Sequence, residues 1–146
     1  MLASLHLPAL GVAAALGLAL FASSMFALAR ARGASLYRSA LIPVLVLSTG
    51  YTLANAVNGL ETGLAMAVAI WLLVFAVRDS IVGVSLLAGL LPLLRPDLAP
   101  AAGLVWLFVL ARHRTIRDWT VAVALSLLVV LPFLIWVRLD TGAWLP

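Results

Sequence analysis

The stretch "WTVAVALSLLVVLPFLIWV", residues 119–137, contains no charged side chain and is bounded by "RHRTIRD" before it and "RLD" after it. A helix needs about 20 predominantly apolar residues to cross the hydrocarbon core of a bilayer. An uncharged run of this length between basic ends is typical of a transmembrane helix. The stretch therefore predicts that this chain is built for a membrane.

The composition of the whole chain agrees with that prediction. Of its 146 residues, 66% are hydrophobic and 10% are charged, and the mean hydropathy is +1.23. Soluble domains carry about 45–50% apolar and about 25% charged residues. The net charge of +4 comes from Arg without any Lys, and the Arg lie in short gaps between apolar runs. We interpret this basic charge as a topology signal and expect no nucleic-acid partner.

Six apolar segments, separated by charged or turn-forming residues, follow one another along the chain. They cover residues 7–29, 40–57, 62–77, 81–94, 98–111 and 119–137. We therefore predict an all-α fold: a polytopic transmembrane helical bundle of about six spans, forming a single transmembrane domain over residues 1–146. The fourth and fifth segments are short for complete spans.

The Arg residues are distributed unevenly between the two predicted sides of the membrane. Arg95 and Arg138 lie on one side. The other side carries Arg30, Arg32, Arg38, Arg78, Arg112, Arg114 and Arg117. The positive-inside rule places the Arg-rich side in the cytoplasm, so both termini are predicted to lie outside. We expect a multi-pass protein of the cell inner (plasma) membrane, with the lipid bilayer as its first partner.

Two polar motifs fall on the predicted outer side. "NGLETG" places Asn58 and Glu61 at the head of the third segment. The Glu61 carboxylate is either an acid favoured by the helix dipole, by about 0.3–1 kcal/mol, or a ligand at the lip of a cavity. "LLRPD" places Arg95 and Asp97 in a tight hairpin. These two residues either pair with each other, or Arg95 binds an anionic group such as a lipid phosphate through its planar fork.

The order and spacing of three motifs resemble a known enzyme group. "NGLETGL", "GLLPLLRPDLAPAAG" and "RLDTGAWLP" are similar to the middle of membrane glycosyltransferases of the GT-C fold that use polyprenyl-phosphate sugars. The nearest in pattern are actinobacterial terminal arabinofuranosyltransferases and mannosyltransferase-like relatives. The matching positions are residues 59–62, residues 95–97, Gly142, Leu145 and Pro146. The resemblance implies transfer of a sugar from a polyprenyl-phosphate donor to a cell-envelope glycan acceptor outside the membrane.

The resemblance also implies roles for individual residues. Asn58, Glu61, Arg95 and Asp97 would bind donor or substrate, and Arg95 would stabilise the departing phosphate. Glu61 or Asp97 would orient the sugar or a divalent cation; the sequence contains no evident cofactor or metal motif. The catalytic Asp of such enzymes lies in an outer loop upstream of anything present here. We therefore expect a central fragment, inactive alone, with a separate chain as one source of the missing helices.

The alternative is a small six-helix membrane transporter or scaffold subunit without catalysis. The segments keep their charges at the ends and contain only small hydroxyls such as Ser48, Ser85 and Ser126 inside, which favours the enzyme fragment over a transporter. In a fragment, helix faces meant for missing spans should expose Gly, Ala and Ser. Uniformly bulky outer faces would instead favour the small bundle.

Overall fold

The computed structural model describes the backbone of residues 3–49 and 60–141, and the side-chain surroundings of residues 12, 14–49 and 62–140. These ranges contain helices and no strand, which confirms the all-α prediction. The described α-helices are α1 (Ala3–Ala31), α2 (Leu36–Leu47), α3 (Leu60–Val77), α4 (Ile81–Leu94), α5 (Ala99–Arg112) and α6 (Ile116–Thr141). A 3-10 helix, Pro96–Leu98, connects α4 to α5.

Helix α2 differs most from its predicted segment, which ran from residue 40 to residue 57. It ends at Leu47, where two side chains turn back onto the helix. Ser48 Oγ donates to the Leu45 carbonyl at 2.7 Å and Thr49 Oγ1 donates to the Val46 carbonyl at 2.6 Å. Ser23 and Ser24 make the same kind of bond inside α1, which continues past them, so these bonds accompany the end of α2 and do not by themselves cause it. The rest of the predicted segment, residues 50–57, lies outside the described residues.

Helix length separates two helices from the others. Helices α1 and α6 contain 29 and 26 residues, so they reach about 43 Å and about 39 Å at about 1.5 Å per residue. The windows Ala14–Ala31 and Ile116–Asp140 are long and apolar enough to cross a membrane. Helices α4 and α5 contain 14 residues each and reach about 21 Å, less than the hydrocarbon core of about 30 Å. Two candidate spans are therefore found among the described residues, and the presence of six spans stays a prediction.

The chain divides into two compact units, residues Met1–Val74 and Phe75–Pro146. In the first unit α1 packs against α2, and Phe21, Ser24 and Ser39 are buried. Helix α1 ends in a Schellman turn. Gly33 adopts φ +81° there, and its N–H donates to the Arg30 carbonyl at 3.0 Å. The prediction of one domain over residues 1–146 stays a prediction.

In the second unit α4 packs against both α5 and α6. Two glycines on α4 lie close to neighbouring helices: Gly83 to the end of α3 and Gly89 to α6. A Cβ added to Gly83 would collide with the Phe75 ring, and one added to Gly89 would lie 3.0 Å from the Ser126 carbonyl oxygen of α6. Small residues that bring helices together are a common device in membrane bundles, where lipid gives helices no hydrophobic reason to associate.

Hydrogen bonds made by side chains also connect the three helices of the second unit. The buried Ser85 hydroxyl of α4 accepts from Trp106 Nε1 of α5 at 3.1 Å. Ser126 Oγ of α6 donates to the Ser85 carbonyl at 3.0 Å. Ser85 therefore links α4 to both α5 and α6.

Candidate functional site

Arg95 and Asp97 form a bidentate ion pair in the turn between α4 and α5. Arg95 Nε donates to Asp97 Oδ1 at 3.1 Å, and Arg95 Nη2 donates to Asp97 Oδ2 at 3.0 Å. Pro96 forces the residue before it out of the helical region, and Arg95 is accordingly extended, with φ −146° and ψ 103°. The turn thus places both side chains on the same side of Pro96.

This pair lies at the surface. The side chains of Arg95 and Asp97 are 41% and 60% exposed. Of the five guanidinium donors of an Arg, those not bonded to Asp97 have no partner within the described part of the chain. The pairing alternative named from the sequence is therefore observed, and binding of an anion by the remaining donors of Arg95 stays a prediction.

Of the other predicted site residues, the structure describes only the backbone of Glu61. Glu61 lies in the first turn of α3, the position at which a helix dipole favours a carboxylate. Its side-chain surroundings lie outside the described residues, as do Asn58, Gly142, Leu145 and Pro146. Joint binding of donor or substrate by Glu61 and Arg95, which the resemblance implies, stays a prediction.

A second polar group lies at the opposite end of the α4–α5 pair. Asp79 Oδ1, just before α4, lies 3.4 Å from Arg112 Nη1 at the end of α5. Because this contact joins the start of α4 to the end of α5, the two helices run antiparallel. Arg95 and Asp97 therefore lie at the opposite end of both helices. Within the second unit, Arg95 thus lies a helix length away from Arg112, while the sides of a membrane on which the two residues lie stay a prediction.

His113 lies in the middle of this group. Its Nε2 lies 3.5 Å from Asp79 Oδ2, and its Nδ1 lies 3.7 Å from Asp118 Oδ2. Arg112 also stacks on the Phe108 ring, with 5.4 Å between its guanidinium carbon and the ring centroid. We call Asp79, Arg112, His113 and Asp118 the His113 cluster. It connects the turn after α3 to the end of α5 and the start of α6.

The sequence did not predict the His113 cluster as a unit. Asp79 pairs with Arg112, whereas Asp118 lies beside His113. Asp79 and His113 lie far apart in the chain, and only the packing of α4 on α5 brings them together. Among the described residues, no set of three or more His, Cys, Asp or Glu side chains has a geometry that could hold a metal ion.

No known protein family, characterised protein or solved structure matches this chain. The likeness to GT-C glycosyltransferases accordingly rests on the three short motifs alone. Two of these motifs lie partly outside the described residues, so the Arg95–Asp97 turn is the motif whose geometry can be used.

Proposed function

We propose that this chain is a multi-pass plasma-membrane protein and forms the central helices of a GT-C type glycosyltransferase that uses a polyprenyl-phosphate sugar. The observation that carries the proposal is the Arg95–Pro96–Asp97 turn. It presents an oriented guanidinium between two apolar helices, at the end away from the Arg-rich segments. A lipid-linked sugar donor has an anionic phosphate at the membrane surface, where this turn lies in the predicted topology.

The chemistry follows from the pairing of Arg95. Asp97 fixes the plane of the guanidinium, and the remaining donors of Arg95 bind phosphate oxygens, which develop charge as the sugar departs. Glu61 and Asn58 bind sugar hydroxyls at the head of α3. The carboxylate that takes the proton from the acceptor hydroxyl is supplied from outside this sequence. The 146-residue chain is therefore expected to bind donor without transferring sugar.

The topology is tested with single-cysteine variants, since the chain contains no Cys. Pro100→Cys marks the Arg95 end of the second unit, and Thr115→Cys marks the His113 end. In intact cells a membrane-impermeant maleimide should label position 100, whereas position 115 should be labelled only after the cells are permeabilised. Equal labelling of both positions in intact cells would contradict the proposed topology.

Donor binding is tested in membranes with a prenyl phosphate that carries a photoreactive diazirine. Arg95→Gln should lower labelling about tenfold, because a hydrogen bond to a charged group contributes about 1.5 kcal/mol or more. Arg138→Gln is the matched control, as it removes the same charge on the same predicted side. An equal loss in both variants would reduce Arg95 to a general contributor of charge. Sugar transfer by the purified chain would overturn the fragment proposal.

The alternative, a small membrane bundle without catalysis, is favoured by a different observation. Many exposed side chains of α6 are bulky rather than small, among them Leu127, Leu128, Leu131, Ile135 and Trp136. The Gly, Ala and Ser stripe expected for contact with missing helices is not found on this face of α6. If Arg95→Gln leaves diazirine labelling unchanged while the topology experiment succeeds, this second function becomes the better one.

A further inference from the structure

A shallow, open groove of about 630 Å³ runs along one face of α6 and the turn before it, next to the His113 cluster. Arg114 lies at its head. The rest of the lining includes Trp119, Thr120, Val123, Ala124 and Leu127, which recur on one face of the helix. The groove is thus apolar along most of its length and basic at one end.

A hydrogen bond fixes the position of Trp119 at the head of the groove. Trp119 Nε1 donates to the His113 carbonyl at 3.1 Å, which holds the indole against the turn before α6. The imidazole nitrogens of His113 lie 3.5 Å from an Asp79 carboxylate oxygen and 3.7 Å from one of Asp118. The head of the groove is therefore built by the same turn that builds the His113 cluster.

Arg114 is the basic residue at this end that lines the groove. Arg112 is held by Asp79 at 3.4 Å and by the Phe108 ring. Arg114 and Arg117 make no ion pair within the described residues, and Arg114 lines the groove. A cation without a partner at the head of an apolar groove matches a ligand with an anionic head and an apolar tail.

The length of the groove matches one leaflet of a bilayer. From residue 116 to residue 127 the helix rises about 16 Å, which is about half of the 30 Å hydrocarbon core. An Arg and a Trp at one end of such a stretch are also typical of the membrane interface. An acyl chain lying along α6 would therefore end near the middle of the membrane.

We propose that this groove binds one anionic phospholipid of the cytoplasmic leaflet, with its phosphate on Arg114 and one acyl chain along Val123 and Leu127. The inference rests on the proposed membrane location and concerns the face opposite the proposed sugar donor. The bound lipid covers the exposed apolar face of α6 at its basic end. Arg114 thereby acts as a ligand for one lipid in addition to its part in the charge asymmetry.

The test uses the full chain purified in a mild detergent and titrated with phosphatidylglycerol or phosphatidylcholine of identical acyl chains. Native mass spectrometry counts the lipids that remain bound. One phosphatidylglycerol should bind in preference to phosphatidylcholine. Arg114→Gln should weaken that binding about fivefold, the effect of one basic residue beside an anionic lipid, and Ala124→Trp should weaken it by filling the groove.

Two controls separate a site from general attraction. Arg38→Gln removes an exposed charge from the same predicted side, and Leu128→Trp adds an indole to α6 beside the groove; both should bind phosphatidylglycerol as the parent chain does. Equal losses in Arg38→Gln and Arg114→Gln, or no lipid preference in the parent chain, would overturn the inference. Failure of the chain to stay in carbonate-washed membranes would instead overturn the proposed membrane location. Circular dichroism confirms that every variant is folded.

Discussion

At the scale of the residue, Asp79 holds the same position at the end of α3 as Gly33 holds at the end of α1. Both residues close a helix in a Schellman turn: Asp79 N–H donates to the Ala76 carbonyl at 3.2 Å, and Ser80 N–H donates to the Phe75 carbonyl at 3.0 Å. Asp79 has φ +56°, a region that Asp and Asn visit more readily than most L residues. Its half-exposed ion pair with Arg112 contributes about 1 kcal/mol at most.

The backbone at position 79 should therefore matter as much as the charge. We expect Asp79→Asn to change the stability of the chain in detergent only slightly. Asp79→Ala should be less stable than Asp79→Asn by about 1 kcal/mol, because Ala gains nothing in the left-handed region. Thermal unfolding followed by circular dichroism measures the difference. Equal stabilities for the Ala and Asn variants would contradict the proposed strain at this turn.

Gly83 offers a second prediction with a control in the same unit. A Cβ at position 83 would collide with the Phe75 ring, whereas a Cβ at Gly103 would meet nothing within 4 Å. Gly83→Ala should lower stability by about 1–3 kcal/mol, the usual cost of overpacking. Gly103→Ala should raise stability by about 0.5–1 kcal/mol through helix propensity. Thermal unfolding of both variants checks the signs, and a stable Gly83→Ala variant would mean that Phe75 moves freely.

At the scale of the element, the bounds of α4 were predictable because the sequence marks both ends. Ser80 is the N-cap, and its Oγ accepts from the Gly83 N–H at 3.4 Å. At the other end, Pro96 prevents α4 from continuing beyond Arg95. The end of α2 was not predictable from hydropathy, because residues 48–57 contain no charged side chain that would mark it. The Arg95–Asp97 pair was accessible to sequence reasoning since its partners are two residues apart. The His113 cluster was not, since it depends on helix packing.

The two hydrogen bonds at Ser85 differ in the polar group that loses its partner when each bond is removed. Ser126→Ala removes a hydroxyl from a carbonyl that also lies within a helix, so a loss of about 0.6 kcal/mol is expected. Ser85→Ala leaves the Trp106 indole N–H without its acceptor, which should cost about 1–3 kcal/mol. Thermal unfolding should rank the variants in that order.

A double variant serves as the control for this prediction. In a Trp106→Phe background the indole N–H is already absent, so Ser85→Ala should cost less than it does in the parent chain. An undiminished cost would show that Ser85 stabilises the unit through packing rather than through the indole.

At the scale of the whole molecule, the described helices expose much apolar surface, including Leu104, Phe108, Leu128 and Ile135. Contiguous exposed apolar surface of this kind marks a protein or membrane contact. In a bilayer this surface faces lipid, and the Ser and Gly contacts inside the second unit hold the helices together. The same exposure in water would lead to aggregation.

A charge placed on α6 tests whether this surface faces lipid. Leu128 lies near the middle of the window Ile116–Asp140 and is 66% exposed, whereas Leu139 lies near its end and is 81% exposed. Each is replaced by Arg in turn. Membrane insertion should fall for Leu128→Arg, because Arg at the centre of a spanning helix costs about 2.5–3.5 kcal/mol or more. Leu139→Arg should insert normally. The measurement is the fraction of each variant that resists carbonate extraction, and equal fractions would contradict a spanning α6.

The brevity of α4 and α5 has a consequence for how the chain is made. On the proposed location in a bilayer, neither helix is long enough to remain there by itself as it leaves the ribosome. The partners that satisfy α4 are synthesised later: Trp106 on α5 for Ser85, then Ser126 on α6. Helix α4 would therefore wait at the edge of the translocon until α5 emerges, and the two would enter lipid as a hairpin. The order of synthesis, as much as hydropathy, would then decide the final topology.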